Sequence, residues 1–307
     1  MTRFVTVTLN PAVDLSWTAD AVMPTHKIRA YGERIDAGGG GINVARVLNA
    51  MGEQAHALII AGGATGALIA DMLTEAGLAH ETIPCRGRTR ISVTVTDRAT
   101  SQDYRFVPVG PTAEPHDWTE VLLRLEEIQC DWIIASGSLE PGMPEDIYAS
   151  IAQLARRRKI RFALDTSGPP LRAALESGVD LIKPSLRELE FVVGRPLQTE
   201  AEQASEAMAL VRGRYAAMVA VTLGDQGALL ASVDGVIRRP AIPVPFASTV
   251  GAGDSFMAGL IWSLSRGHSK PDALGWAIAA ATAAVAKAGT ARVQWGDVAG
   301  WHGRLTG

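Results

Sequence analysis

The residues with the clearest chemical potential are Ser248-Thr249-Val250-Gly251-Ala252-Gly253-Asp254, which run directly into an apolar helical stretch at 255–264. Glycines just before a helix leave backbone N–H groups uncovered, and the free amides and dipole of the first turn favour negative charge. Asp254 beside such a nest would repel a static anion. It makes sense where the acid takes a proton from a hydroxyl while the amides hold a phosphoryl group in transit. The same residues also suit a plain glycine turn with Asp254 as a cap or first-turn acid. At a helix N-terminus its pKa is expected to be low.

A second run, Gly38-Gly39-Gly40-Gly41-Ile42-Asn43-Val44-Ala45-Arg46, also feeds a helix. It permits close approach of backbone to a polar ligand, and Asn43 adds a donor and an acceptor. A tight loop that binds nothing would read the same way. Counted from Gly38 or Gly39, the third small position of a dinucleotide fingerprint falls on Asn43 or Val44, so that motif fails. The chain contains no Gly-Lys dipeptide, which removes a Walker-type phosphate loop.

Basic side chains at Lys27, Arg29, Arg88, Arg90 and Arg105, with Asp14, sit on segments expected to leave the main sheet. Solvated surface is one reading; closure over a sugar phosphate, which guanidinium forks suit, is the other. Polar residues also recur just past predicted strands: Asn10 and Asp14, Ser136-Gly137-Ser138, Asp165, Lys183 to Glu188, and Thr222 to Gly227. Open α/β sheets bind their ligands at that edge.

These residues need a scaffold, and the rest of the sequence supplies one. Short β-branched runs predict strands at 4–9, 57–60, 132–135, 161–164, 181–182, 218–222 and 227–232. Amphipathic patterns predict helices at 41–51, 67–75, 145–157, 171–175, 200–212, 254–266 and 272–287. That alternation predicts a mainly parallel sheet covered on both faces. The segments 13–31 and 90–107 break the rhythm as extended runs without crossover helices. They read as a small β-lid inserted into one domain spanning 1–307, or as an antiparallel extension of the sheet edge.

The chain has 307 residues, 47% hydrophobic and 20% charged, with a formal charge of −3, which excludes disordered and collagen-like classes and gives no global pull toward nucleic acid or anionic membrane. The longest uncharged stretch, 273–286, is too short to span a bilayer and reads as an internal helix. Cys85 and Cys130 lack the spacing of a disulfide framework or zinc site, so a reducing cytoplasm is expected. They read as packing residues, as do Trp132, Trp262 and Trp276.

Taken together, these residues resemble the ribokinase-like sugar kinases of the phosphofructokinase B family. The two glycine runs, at 38–46 and 249–255, correspond in order and separation to the family's two signatures. Thr8 to Asp14, Ala61 to Gly66, Tyr104 to Val107 and Ser136 to Leu139 add to the likeness, which covers nearly the whole chain. The resemblance implies a three-layer αβα sandwich with a β-lid, ATP and Mg2+ as cofactors, and a homodimer built through the lids. It implies glycolytic phosphorylation of fructose 6-phosphate to fructose 1,6-bisphosphate. Family members acting on fructose 1-phosphate or tagatose 6-phosphate usually carry lysine within the first glycine run, where this chain has Gly40; both remain alternatives.

Position by position, the resemblance makes Asp254 the base and Gly251, Ala252 and Gly253 the anion hole. Asp14, Gly39, Asn43 and Ser138 would hold sugar hydroxyls. Lys27 and Arg90, with Arg29 and Arg105, would grip the substrate phosphate, one of them from a neighbouring subunit. Lys183, Ser185, Thr222, Gly224 and Gly227 would line the nucleotide site. Asp165 and Glu188 would organise magnesium through water, Ser185 standing where the family has asparagine. Ser248 and Val250 match carbonyls that hold K+ in relatives, with Lys287 near the third contributing loop. A non-catalytic sugar-phosphate or nucleotide sensor on the same fold is the rival from another class. A nicotinamide-dependent dehydrogenase suffers from the failed fingerprint.

Overall fold

A computed structural model describes residues 3–244, 250–286 and 293–306. Its elements are β1 (Phe4–Thr8), β2 (Ala12–Ala19), β3 (Ala30–Gly38), α1 (Gly40–Ala50), β4 (Ala55–Ala61), α2 (Gly63–Glu75), β5 (His80–Pro84), β6 (Arg90–Asp97) and β7 (Gln102–Phe106). They continue with α3 (Pro115–Glu127), β8 (Trp132–Ser136), α4 (Ile147–Arg158), β9 (Arg161–Asp165), α5 (Gly168–Ser177), β10 (Val179–Ile182), α6 (Leu186–Val193) and α7 (Glu200–Arg212). The last are β11 (Ala216–Thr222), β12 (Ala228–Ser232), β13 (Gly235–Arg239), α8 (Ala252–Ser265), α9 (Lys270–Val285) and α10 (Trp295–Thr306).

The large sheet runs β13-β12-β11-β10-β9-β8-β1-β4-β5. From β11 to β5 every pairing is parallel, so the carboxyl ends of these strands share one edge. Alternation along each buried strand separates two cores. Ala57, Ile59, Trp132 and Ile134 face the side of α1, α8 and α9, whereas Leu58, Ile60, Ile133 and Ala135 face α4, α5 and α7. Period-two side-chain placement thus makes the three layers. The strand expected at 227–232 is present as β12, but antiparallel to β11, because the short Leu223 to Gly227 turn is no crossover. The expected internal helix at 273–286 is α9, starting at Lys270 and buried along most of its length. Lys287 lies outside the described residues. No helix among the described residues is long and apolar enough to cross a membrane.

The two irregular segments form a separate four-stranded sheet, β3-β2-β6-β7, and do not extend the edge of the large one. β2 pairs parallel with β6, while β6 and β7 form the expected hairpin. The lid reaches further than expected: β3 runs to Gly38 instead of stopping at 31. Its residues 30–35 are exposed, so no buried face left an apolar alternation to read. The strands β5 and β13 and the helices α3, α6 and α10 were not anticipated, although α3 and α6 are amphipathic. Cys85 and Cys130 are free and half-buried, and Trp132 is buried.

Candidate active site

Helix α8 begins at Gly251, whose left-handed φ of 76° turns the chain into the helix without a side-chain cap. The first intrahelical bond runs from Ser255 N–H to Gly251 O at 2.9 Å. The amides of Ala252, Gly253 and Asp254 therefore point outward, unpartnered among the described residues. They open onto a cleft of about 580 Å³. Thr222, Gly224 and Gly227, from the turn after β11, line it together with Ala252 and Gly253.

Asp254 is clamped from both sides. Asn43 Nδ2 donates to Asp254 Oδ2 at 2.9 Å, and Ser136 Oγ donates to Oδ1 at 3.2 Å. Arg46 sets the sense of the Asn43 amide by donating to its Oδ1 at 2.9 Å, while its other nitrogen holds Ala37 O at 2.9 Å. Burial pushes the Asp254 carboxyl up, against the pull of the Asn43 hydrogen bond and Lys183. The low pKa expected from the helix terminus is thus overturned: loss of water outweighs the dipole.

The four glycines explain themselves sterically. A Cβ at Gly38 would overlap the Asp14 carboxylate, and one at Gly40 would overlap Ser136 Oγ and lie 3.0 Å from Asp254 Oδ1. Gly39, at φ 133°, is the N-cap of α1, and a Cβ there would lie 2.5 Å from Thr8 Cγ2. Thr8 Oγ1 in turn accepts the Ile42 amide at 3.0 Å. The run therefore brings the start of α1 between Asp14 and Asp254. Asp14 faces Asp36 across β3, and its carboxyl is pushed up to about 6 by burial, against Arg105 and Arg90.

Arg90 makes a clasp. Its guanidinium donates to Asn10 O at 2.8 Å, Pro108 O at 3.0 Å and Pro11 O at 3.3 Å, joining the end of β1 to the lid. Two of its five N–H groups have no partner among the described residues. Ser138 is exposed and accepts Asn10 Nδ2 at 3.4 Å; it is Ser136, not Ser138, that touches Asp254. Arg105 sits on β7, exposed, opposite Thr94. Lys27 and Arg29 lie in the exposed loop between β2 and β3, with no ion pair among the described residues.

On the nucleotide side, buried Lys183 lies 3.0 Å from Asp165 Oδ2, and a Cβ on Gly253 would stand 3.2 Å from its Nζ. The ammonium is thus shared between an acid and the start of α8. Burial pushes Asp165 up to about 6 despite Lys183, with Asp254 and Glu188 adding to the rise. Ser185 and Glu188 close a capping box on α6, Glu188 Oε2 accepting from Ser185 N at 2.7 Å and from its Oγ at 2.9 Å. The shortened side chain at 185 is thereby used locally. Among the described residues no three His, Cys, Asp or Glu side chains converge as metal ligands. The acids Asp165, Asp254 and Glu188 around one lysine fit a hydrated divalent ion carried on phosphates, not a bare ion in a protein cage. Val250 is half-buried; Ser248 lies outside the described residues.

Sequence reasoning gave no role to Arg46, Thr8 or Glu140, and placed Ser136 only among the polar residues of the ligand edge. Ser136 had a signal in being the last residue of a buried strand on the ligand edge. Glu140 had none: it is buried beside the Arg90 clasp with Oε2 unpartnered among the described residues, and burial with the Asp117 charge pushes it up to about 8.

Residues 7–295 match the pfkB family carbohydrate kinase model. The ATP-dependent 6-phosphofructokinase isozyme 2 of Mycobacterium tuberculosis is 42% identical over 298 residues, covering 96% of this chain and 88% of that one. A 1-phosphofructokinase of Rhodobacter capsulatus is 38% identical, covering 86% and 84%. The phosphofructokinase-2 of Escherichia coli superposes over all of both chains. Its TM-score is 0.96 in a potassium complex at 32% identity, and 0.94 in a fructose-6-phosphate complex at 30%.

Proposed function

Since the chain belongs to the pfkB family of carbohydrate kinases and is an ATP-dependent sugar-phosphate kinase, we propose that it phosphorylates O1 of fructose 6-phosphate, giving fructose 1,6-bisphosphate. The observation that carries this reading is the Asp254 carboxylate, held by Asn43 and Ser136 at a helix start whose free amides face the cleft. Asp14, Gly39, Asn43 and Ser138 orient the acceptor sugar. Arg90 and Arg105 receive its phosphate, as do Lys27 and Arg29 from a partner subunit. Asp254 accepts the O1 proton as the oxygen attacks the γ-phosphorus, and its raised pKa suits that task. Of the expected anion hole, the amides of Ala252 and Gly253, with that of Asp254, take up the charge of the transferring oxygens while Gly251 makes the turn into the helix, and Lys183 meets the phosphates from the side of Asp165. Ser185, Thr222, Gly224 and Gly227 seat the nucleotide with Lys183, and Asp165 and Glu188 would hold the water shell of magnesium, which would supply charge neutralisation at the phosphates. A potassium ion would rest on the backbone carbonyl of Val250, beside a cavity of about 20 Å³ that this residue lines, while the other expected contributor, Ser248, lies outside the described residues.

The lid leaves Ile35, Ile91, Tyr104 and Phe106 exposed, a face that supports a homodimer through the lids. Lys27 and Arg29, on that lid, could then reach the neighbouring site. Two free, half-buried cysteines suit a cytoplasmic enzyme.

Gly40, where family members acting on fructose 1-phosphate or tagatose 6-phosphate usually carry lysine, favours fructose 6-phosphate as the substrate. A coupled ADP-release assay over those three sugar phosphates and free fructose tests the reading. Fructose 6-phosphate is expected to give the highest kcat/KM; preference for fructose 1-phosphate would assign the chain to the 1-phosphofructokinase activity. No turnover with any acceptor, with binding retained, would make it a sensor.

A further inference from the structure

At the opposite edge of the large sheet, where β9, β10 and β11 begin, lies a second cleft of about 480 Å³. Its wall carries Arg156 from α4, Lys159 from the end of that helix, Arg161 from β9 and Arg214 from the turn before β11. The one acid on this wall, Asp180, is occupied: its Oδ2 accepts the Phe162 amide at 2.8 Å. Four cations thus meet one acid in a chain whose net charge is −3.

None of the four cations is in an ion pair among the described residues. Arg157, next to Arg156 on α4, pairs with Glu126 of the neighbouring α3. Arg156 donates to the carbonyls of Ser177 and Gly178, and Arg161 lies over the Trp132 indole at 5.4 Å. Lys159 and Arg214 both hold left-handed backbone, at φ 58° and 62°. Glycine would take those positions without strain, whereas a residue with a Cβ is strained there. Helix C-termini account for Arg156 and Lys159 at the end of α4 and for Arg214 just past α7, but not for their convergence with Arg161 of β9 on one concave surface.

We propose that this cleft is a second ligand site, taking a small phosphorylated molecule with at least two negative charges. Its volume falls in the range of small-molecule pockets, and unpaired guanidinium and ammonium groups match phosphate oxygens. It is separate from the kinase cleft, since Arg161 begins the strand that Asp165 ends, a run of about 13 Å at strand rise.

The test is calorimetric titration with inorganic pyrophosphate, the kinase cleft first being saturated with a non-hydrolysable ATP analogue. Saturable binding of one pyrophosphate per chain is expected, weakening with salt. Lys159→Gly with Arg214→Gly removes two charges and relieves the left-handed strain. The double variant is expected to keep its melting temperature or raise it, to keep its kcat, and to bind pyrophosphate at least tenfold more weakly. Lys159→Glu with Arg214→Glu should abolish binding. Equal affinity in wild type and both variants, or no saturable heat in the wild type, would overturn the proposal. The outcome does not depend on which sugar phosphate the other cleft accepts.

Discussion

Gly40 leaves no room for a side chain beside Ser136: a Cβ would overlap Ser136 Oγ and reach 3.0 Å from Asp254 Oδ1. The serine hydroxyl that steadies the proposed base therefore depends on a missing side chain in another element. Gly40→Ala is expected to push Ser136 off Asp254 and lower kcat by about 10- to 150-fold, the worth of one hydrogen bond to a charged group. Ser136→Ala alone loses the same bond, so Gly40→Ala with Ser136→Ala should cost no more than either single change. Steady-state kinetics on the three variants checks this. Losses that multiply would show two independent roles.

Asp254→Asn keeps the size and a hydrogen-bonding group at the site but cannot take a proton. Its kcat is expected to fall by about 10²- to 10⁴-fold, the usual span for a general base, while ATP affinity measured by titration changes little. Turnover near that of the wild type would reject the base assignment.

Asp14 gives opposite pH trends for activity and stability. Its carboxyl titrates at about 6 because burial outweighs Arg105 and Arg90. As the acceptor for a sugar hydroxyl it must be ionised, so kcat/KM for the sugar phosphate should rise as pH climbs through about 6. The folded chain binds this proton more tightly than the unfolded chain does. Asp14 thus contributes stability that is fully present below the ordinary value of 3.8 and lost as pH rises through about 6. Asp14→Asn should remove both trends from pH–rate profiles and from thermal melts taken across that window. An acidic limb unmoved in the variant would assign it to another group, such as Asp165.

The layers and most of the ligand edge were legible because period-two and helical patterns report burial directly. Val5, Ile133 and Leu164 had to face a core, which placed Asp165 and Ser136 past or at strand ends. The lid strand β3 was only partly legible, since exposed residues such as Tyr31 and Ile35 carry no burial pattern. The clamp on Asp254 was harder still. Arg46 orients Asn43 from the next turn of α1, and that role needs a bond whose far end, Ala37 O, the sequence does not mark. The pKa of Asp254 was misjudged for a related reason: the helix dipole is visible in sequence, whereas the burial that overrides it comes from α1 and β8 packing around the site.

Arg90 tests whether one side chain can serve both lid and substrate. It bridges three carbonyls, of Asn10, Pro11 and Pro108, and has N–H groups beside Asp14 without a partner among the described residues. Arg90→Ala is expected to raise KM for the sugar phosphate at least tenfold with a smaller change in kcat. It should also lower stability by about 1–3 kcal/mol, because buried acceptors lose a donor. Arg90→Lys should recover little of either, since one ammonium cannot span three carbonyls and still face a phosphate. Saturation curves and melting temperatures separate the two roles. A lower melting temperature with unchanged KM would leave Arg90 as a clasp and move the phosphate grip to Arg105 or to Lys27 and Arg29 of the partner. A raised KM with unchanged melting temperature would instead place its main contact on the substrate.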